Sequence, residues 1–189
     1  MQVTRDEYGG FANWEVAGNP VQWQRRGIRG KVSFTPAPVR KAKARMAAHF
    51  MEACVSSGQW PWAPWDGPVD MRVCCLFPIP KSWPMWKKSL AASLKLPCMR
   101  TPDVDNLGKL VMDALNTTAK RKGAYGDDRQ IVYVQVEKHY SLNPRTIVVI
   151  RFSTAPTKTH DGSWGMMWPS GAIVPCAQEQ RAALETFGK

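Results

Sequence analysis

The run Thr101-Pro-Asp-Val-Asp-Asn-Leu-Gly-Lys-Leu-Val-Met-Asp-Ala-Leu115 carries the clearest helical signal in the chain. Val104, Leu107, Val111, Ala114 and Leu115 recur at helical spacing and form one apolar stripe, while Asp105, Lys109 and Asp113 share the opposite face. The spacing predicts a helix over 104–116. Pro102 disfavours helix just before it, so the helix proper should begin at about Asp105, with Asp103 still in an extended approach. Downstream, Asp127 and Asp128 precede two β-prone runs, 130–140 and 146–152, whose short connection predicts a hairpin. Upstream, 69–77 reads as a strand closed by Pro78 and Pro80. A helix is expected over 38–54, with a basic face made by Arg40, Lys41, Lys43 and Arg45. Gly27 and Gly30 divide 22–34 into a short hairpin bearing Arg25, Arg26, Arg29 and Lys31. Residues 81–96, with Lys81, Lys87 and Lys88, read as a connection holding a short helix. Strands and helices mixed in this way make an α+β fold. At 189 residues there is room for one core and not for two. The reading is therefore one domain over 18–152, an N-terminal segment 1–17, and a Gly/Pro/Ser/Trp-containing appendage 153–189 with a short helix over 177–187.

Composition narrows the function. Lys and Arg number 26 against 15 Asp and Glu, a formal net charge of +11, which calls for an anionic partner: nucleic acid or a membrane surface. With 44% hydrophobic residues the chain is no disordered basic tail, and no apolar run approaches the roughly 20 residues that span a bilayer. The first ten residues lack the apolar core of a secretory signal, so a reducing cytoplasm is expected. Five cysteines without a C-x-x-C pair point to buried free thiols rather than a disulfide framework or zinc site. Trp60, Trp62 and Trp65 are expected to pack mostly as structural residues, with stacking on opened bases as the alternative.

The charge is unevenly laid out. Residues 16–51 hold eight cations and no acid, and 71–102 hold six and no acid. Between Asp103 and Asp128 five aspartates meet four cations, so that segment is −1 and the remainder +12. Charge alone leaves two readings open: carboxylates gathered around a divalent cation, or an ordinary solvated helix and turn. Geometry adds weight to the first. Two residues apart on a helix, side chains diverge by roughly 200°, but with Asp103 in an extended approach both it and Asp105 can turn to one ion. The helix N-terminus favours their ionised form. Asp113 lies roughly 12 Å along the axis from Asp105, and pairing with Lys109 is its expected role. Asp127 and Asp128, at a strand start, should face opposite ways, so at most one joins the site. Lys109 is placed to neutralise phosphate charge. An EF-hand reading fails, because counting from Asp103 its fifth position is Leu107 and its twelfth Ala114. His49, His139 and His160 form no catalytic pattern.

The same residues, Thr101 to Lys109 with Met112-Asp-Ala-Leu115, followed by Ala124-Tyr-Gly-Asp-Asp-Arg-Gln-Ile-Val132, resemble the signature of the RusA family of Holliday-junction resolvases. Gly67-Pro-Val69, Pro80-Lys-Ser-Trp83 and the basic stretch from Arg25 to Phe34 extend the resemblance to about residues 18–152. It implies a small α+β domain with a mixed sheet, acting as a homodimer. It also implies that Asp103, Asp105 and Asp128 are the catalytic aspartates holding Mg2+, with Mn2+ as substitute, and that Lys109 is the catalytic-site lysine. Asp127 matches a neighbouring acid, and Asn106 a motif residue that orients Asp105 or the helix start. The loop 117–126, with Lys120, Arg121 and Lys122, and the tail depart from the pattern.

The expected reaction is metal-dependent hydrolysis of a DNA phosphodiester in a four-way junction, leaving 5′-phosphate and 3′-hydroxyl ends. Junction shape and backbone charge would be read by the two acid-free basic blocks. A transposase or RNase H-like nuclease is the rival among enzymes. A non-enzymatic DNA-binding or phage-assembly protein is the rival outside them.

Overall fold

The computed structural model describes residues 1–6, 9–29, 32–119, 121–153, 157–158 and 164–165. Along the chain these form β1 (Gln2–Asp6), β2 (Gly9–Ala17), β3 (Gly27–Arg29), β4 (Val32–Phe34), α1 (Ala37–Ser56), β5 (Val69–Pro78), α2 (Met85–Ala92) and α3 (Val104–Leu115). A 3-10 turn (Asp128–Gln130) then leads into β6 (Ile131–Ser141) and β7 (Arg145–Ser153), with a small pair β8 (Thr157–Lys158) and β9 (Trp164–Gly165) beyond. The main sheet has five strands in the order β1-β2-β7-β5-β6, with β5 and β6 parallel and the other pairs antiparallel. The architecture is α+β with a mixed sheet.

Two expectations change. Residues 1–17, read as a separate segment, supply β1 and β2, and β2 pairs with β7 along its whole length from Gly9 to Ala17. Val3, Ala12, Trp14 and Val16 are buried, so this part belongs to the core. Arg5 closes the join, donating to the carbonyl of Ala63 at 2.6 Å and riding over the rings of Trp62 and Trp65. The second change concerns β6 and β7, which do not form a hairpin, because β5 lies between them. β7 is buried from 146 to 150 and therefore needs a partner on each edge, which β2 and β5 provide. β6 carries Gln135, Glu137, Lys138 and His139 half-exposed and suits the sheet edge. A three-residue connection is a local hairpin signal, and burial of β7 overrides it.

α1 and α3 pack side by side on one face. Met46 and Phe50 of α1 and Leu107 and Val111 of α3 join Met71, Val73 and Cys75 of β5 in one core cluster. Trp14, Phe50, Trp62 and Phe152 stack through it with ring centroids 5.3–5.4 Å apart. Trp62 and Trp65 are buried, with indole N–H groups donating to the carbonyls of Ala124 and Ser153. Burying such a side chain contributes roughly 1.5–3 kcal/mol, and only Trp60 of the three stays exposed. Gly108 lets α3 settle on the sheet, since a Cβ there would meet Val136 Cγ2 at 2.7 Å. Cys54, Cys75 and Cys98 are buried free thiols, and burial pushes Cys54 up to about 11 and Cys75 up to about 12. Cys74 is disulfide-bonded, against the expectation of free thiols throughout. Among the described residues no helix is long and apolar enough to cross a membrane. Nearly all of the appendage 153–189, including the expected helix over 177–187, lies outside the described residues.

Candidate functional site

Asp103 is the N-cap of α3, in extended conformation (φ −72°, ψ 152°), and Asp105 lies in the first helical turn, as Pro102 and the apolar stripe predict. Both are exposed, and neither side chain has a hydrogen bond or ion pair among the described residues. The approach to them is anchored: Lys138 of β6 donates its Nζ to the carbonyls of Arg100 at 2.8 Å and Pro102 at 3.0 Å. Together with the close contact at Gly108, this seats the N-terminal end of α3 on the sheet edge. Asn106 contributes its backbone, its carbonyl accepting from the N–H of Trp23 at 2.9 Å.

Asp113 is engaged differently from expectation. It pairs with Lys43 of α1 at 2.7 Å and accepts from the Trp23 indole at 2.8 Å, and Lys109 is not its partner. The apolar stripe turns α3 so that the face holding Asp113 meets α1, and Lys43 reaches it first. Lys109 instead places its ammonium 4.1 Å above the centre of the Trp23 ring. A cation over an aromatic face is held in place without being neutralised. Trp23 thus bolts the strap 18–26 to α3 and steadies Lys109. Sequence reading missed it because the strap has no periodicity. A lone Trp beside Arg25 and Arg26 in an otherwise polar stretch was the available signal.

Asp127 and Asp128 do not begin a strand. They open the 3-10 turn, where Asp127 accepts from the N–H of Arg129 at 3.0 Å and the Gln130 side chain accepts from the N–H of Asp127 at 2.8 Å. Gln130 also donates to the carbonyls of Trp65 and Gly67, both at 2.9 Å, tying the turn to the loop before β5. Asp127 is therefore a capping residue. Asp128 is exposed, with no side-chain partner among the described residues. Burial, reinforced by Asp128 and Asp113, raises the Tyr125 hydroxyl above its usual range, and that hydroxyl donates to the carbonyl of Met112 at 2.8 Å.

The donor set fits a hard divalent cation in kind, being exposed carboxylate oxygens without competing partners. Within one copy, however, the carboxylates of Asp103, Asp105 and Asp128 do not all come within 4.8 Å of one another. The one group of that kind among the described residues is Cys74, Glu137 and His139, and Cys74 is disulfide-bonded, so it offers no thiolate.

The expected DNA-binding cations divide. Arg25, Arg26, Arg40, Lys41 and Lys81 are exposed. Lys43 is committed to Asp113, Arg45 donates to the carbonyl of Ala17 at 2.7 Å, and Lys87 lies 4.1 Å over the Trp83 ring. Lys88 is half-exposed on α2, Arg29 lies on β3, and Lys31 falls outside the described residues. In the loop 117–126, Arg121 donates to the carbonyl of Ala114 at the end of α3, a helix-capping role.

A family model described as endodeoxyribonuclease RusA matches residues 17–151. The chain is also 37% identical over 139 residues to a Bacillus subtilis (strain 168) protein described as uncharacterized protein YqaN, an overlap of 72% of this chain and 92% of that one.

Proposed function

The chain belongs to the RusA endodeoxyribonuclease family, and from that premise we propose that it is a Mg2+-dependent enzyme that resolves four-way DNA junctions by paired nicking. The observation behind this reading is the state of Asp103, Asp105 and Asp128: among the described residues these three acids are exposed and have no side-chain partner, while Asp113 and Asp127 of the same segment are engaged. In a chain with 26 Lys and Arg, carboxylates left unneutralised are available to a cation. Asp103, Asp105 and Asp128 would hold Mg2+ or Mn2+, which supplies positive charge against the phosphate oxygens and a more readily deprotonated water. Lys109, positioned by the Trp23 ring, meets the phosphate as a second cation. Water attack in line with the 3′ oxygen breaks the P–O3′ bond and leaves 5′-phosphate and 3′-hydroxyl ends. Arg25, Arg26, Arg40, Lys41 and Lys81 hold the DNA backbone.

The reading includes a homodimer, which would bring two such sites into one particle. β6 has one unpaired edge among the described residues, and Val132, Tyr133 and Val134 are exposed along that strand. Antiparallel pairing of two such edges would relate the copies by a two-fold axis. Two sites related by a two-fold axis then suit two symmetry-related strands. The setting is DNA recombination and repair, or the processing of branched phage DNA, in the cytoplasm.

The test offers purified protein a mobile four-way junction, a linear duplex and an RNA–DNA hybrid, with and without Mg2+. Cutting confined to the junction and dependent on metal is expected. Preferential cutting of the duplex or the hybrid would overturn the resolvase reading, and junction binding without any cleavage would leave a non-enzymatic DNA-binding protein.

A further inference from the structure

Beside the approach to Asp103 lies an open groove of about 610 Å3, lined by Ile79, Lys81, Trp83, Arg100, Thr101 and Tyr140 together with the two prolines that end β5. Its aromatic part is rigid: Tyr140 is buried and meets Trp83 edge-on with centroids 5.0 Å apart. Its rim is cationic. Lys87 sits 4.1 Å over the Trp83 ring, Arg100 lies 5.3 Å over Phe77, and Lys81 is exposed. No carboxylate lines it. The wall formed by Arg100 and Thr101 is the same backbone that Lys138 anchors and that continues into Asp103. The groove and the acids at the start of α3 are therefore held as one piece.

Resting on the DNA-junction reading above, we propose that this groove takes a single unstacked nucleotide of the DNA strand next to the one being cut, its base against Trp83 and its phosphates among Lys81, Lys87 and Arg100. A flat aromatic surface ringed by cations, with no acid to repel phosphate, is the chemistry that recognises a nucleotide without reading its sequence. The volume lies in the range of small-ligand sites and is ample for one base with its sugar. The Lys87 ammonium exchanges the ring for a phosphate as the base enters. Unstacking costs least where the duplex is already interrupted. A groove of this kind therefore favours the centre of a branched DNA over a continuous duplex, and it gives α2 and the turn before it a role in substrate choice.

The test uses the full chain in EDTA, so that binding is read without cleavage. A photoreactive 5-iododeoxyuridine is placed at the branch point of a four-way junction or at the middle of a linear duplex. The expected crosslink from the junction maps to the peptide holding Trp83, and the duplex gives none there. Trp83→Leu should weaken junction binding roughly tenfold while leaving duplex binding unchanged, and Trp83→Phe should restore most of it. Should Trp83→Leu fail to fold, Arg100→Ala, at an exposed position, carries the same test: it should lower the salt dependence of junction binding by about one ion and leave that of duplex binding unchanged. A crosslink mapping elsewhere, or equal losses on junction and duplex, overturns the groove while leaving the resolvase reading intact. A wild-type protein that shows no preference for the junction overturns the resolvase reading itself.

Discussion

The two ends of α3 carry the same kind of residue in opposite states. At its start, Asp103 and Asp105 are exposed and without partners among the described residues. In its last turn, Asp113 is held by Lys43 and by the Trp23 indole. The turn before β6 repeats the division in two adjacent residues, with Asp127 spent on capping and Asp128 without a side-chain partner among the described residues. The contrast shows that an acidic island in a basic chain is not uniformly functional. Where the fold already neutralises a carboxylate, mutation should cost stability, and where the fold leaves it open, mutation should cost chemistry.

Neutralising one acid from each class should separate the two roles most widely. Asp105→Asn should lower junction cleavage by at least about a thousandfold while junction binding, read by gel shift, persists. Asp113→Asn should retain most activity. Equal losses in the two variants would erase the distinction. Next in size, Lys109→Ala should cost about a hundredfold in cleavage, and Trp23→Leu about tenfold by freeing the Lys109 side chain. In the Lys109→Ala background Trp23→Leu should add nothing, and an additive loss in that cycle would reduce Trp23 to a packing residue.

Asp113→Ala tests the structural class directly. It strands the Trp23 indole and frees Lys43, a loss of about 1–2 kcal/mol after allowing for partial exposure. The melting temperature should fall by roughly 3–6 °C, and an unchanged value would show that the Lys43–Asp113 pair contributes nothing. Among the cations, Lys41→Ala should reduce the salt slope of DNA binding by about one, whereas Lys43→Ala should act mainly through stability. Equal slopes in both variants would place Lys43 on the DNA. The smallest effect concerns Asp70 on β5. Burial raises its carboxyl above the usual range, although Arg151 and Arg72 pull the other way. A raised carboxyl binds more protons folded than unfolded, so its contribution to stability falls as pH rises through the window between the two values. The penalty is complete at neutral pH. Asp70→Asn should therefore raise the melting temperature at pH 7, on the order of 1 °C, and remove the gain seen on acidification.

How much of this could be read from residues alone follows the range of the interaction. The helical periods of α1 and α3 and the prolines that end β5 are local patterns, and the structure reproduces the bounds of these elements within two residues, although Val104 of the expected stripe is exposed and Leu110 is buried in its place. The extended placement of Asp103 ahead of the helix was equally legible, because the apolar stripe starts only at Val104 and Pro102 keeps Thr101 before it out of helical conformation. The strand pairing was not. A three-residue link suggests that β6 and β7 pair, and only the two-sided burial of β7 inserts β5 between them. Ala12-Asn-Trp-Glu-Val16 alternates apolar and polar residues as a strand does, but a local alternation names no partner, and its place in the sheet depends on β7, more than a hundred positions away.

The candidate site divides along the same line. Which acids exist, their signature spacing and the helix-starting position of Asp103 and Asp105 are fixed by neighbouring residues and backbone sterics, and so can be read from the chain order. That Lys43 takes Asp113, that Trp23 holds Lys109 and that Asp127 is spent on a cap were settled in three dimensions. Those outcomes depend on which distant side chain arrives within about 3–4 Å, a distance that packing sets and that chain order does not encode locally.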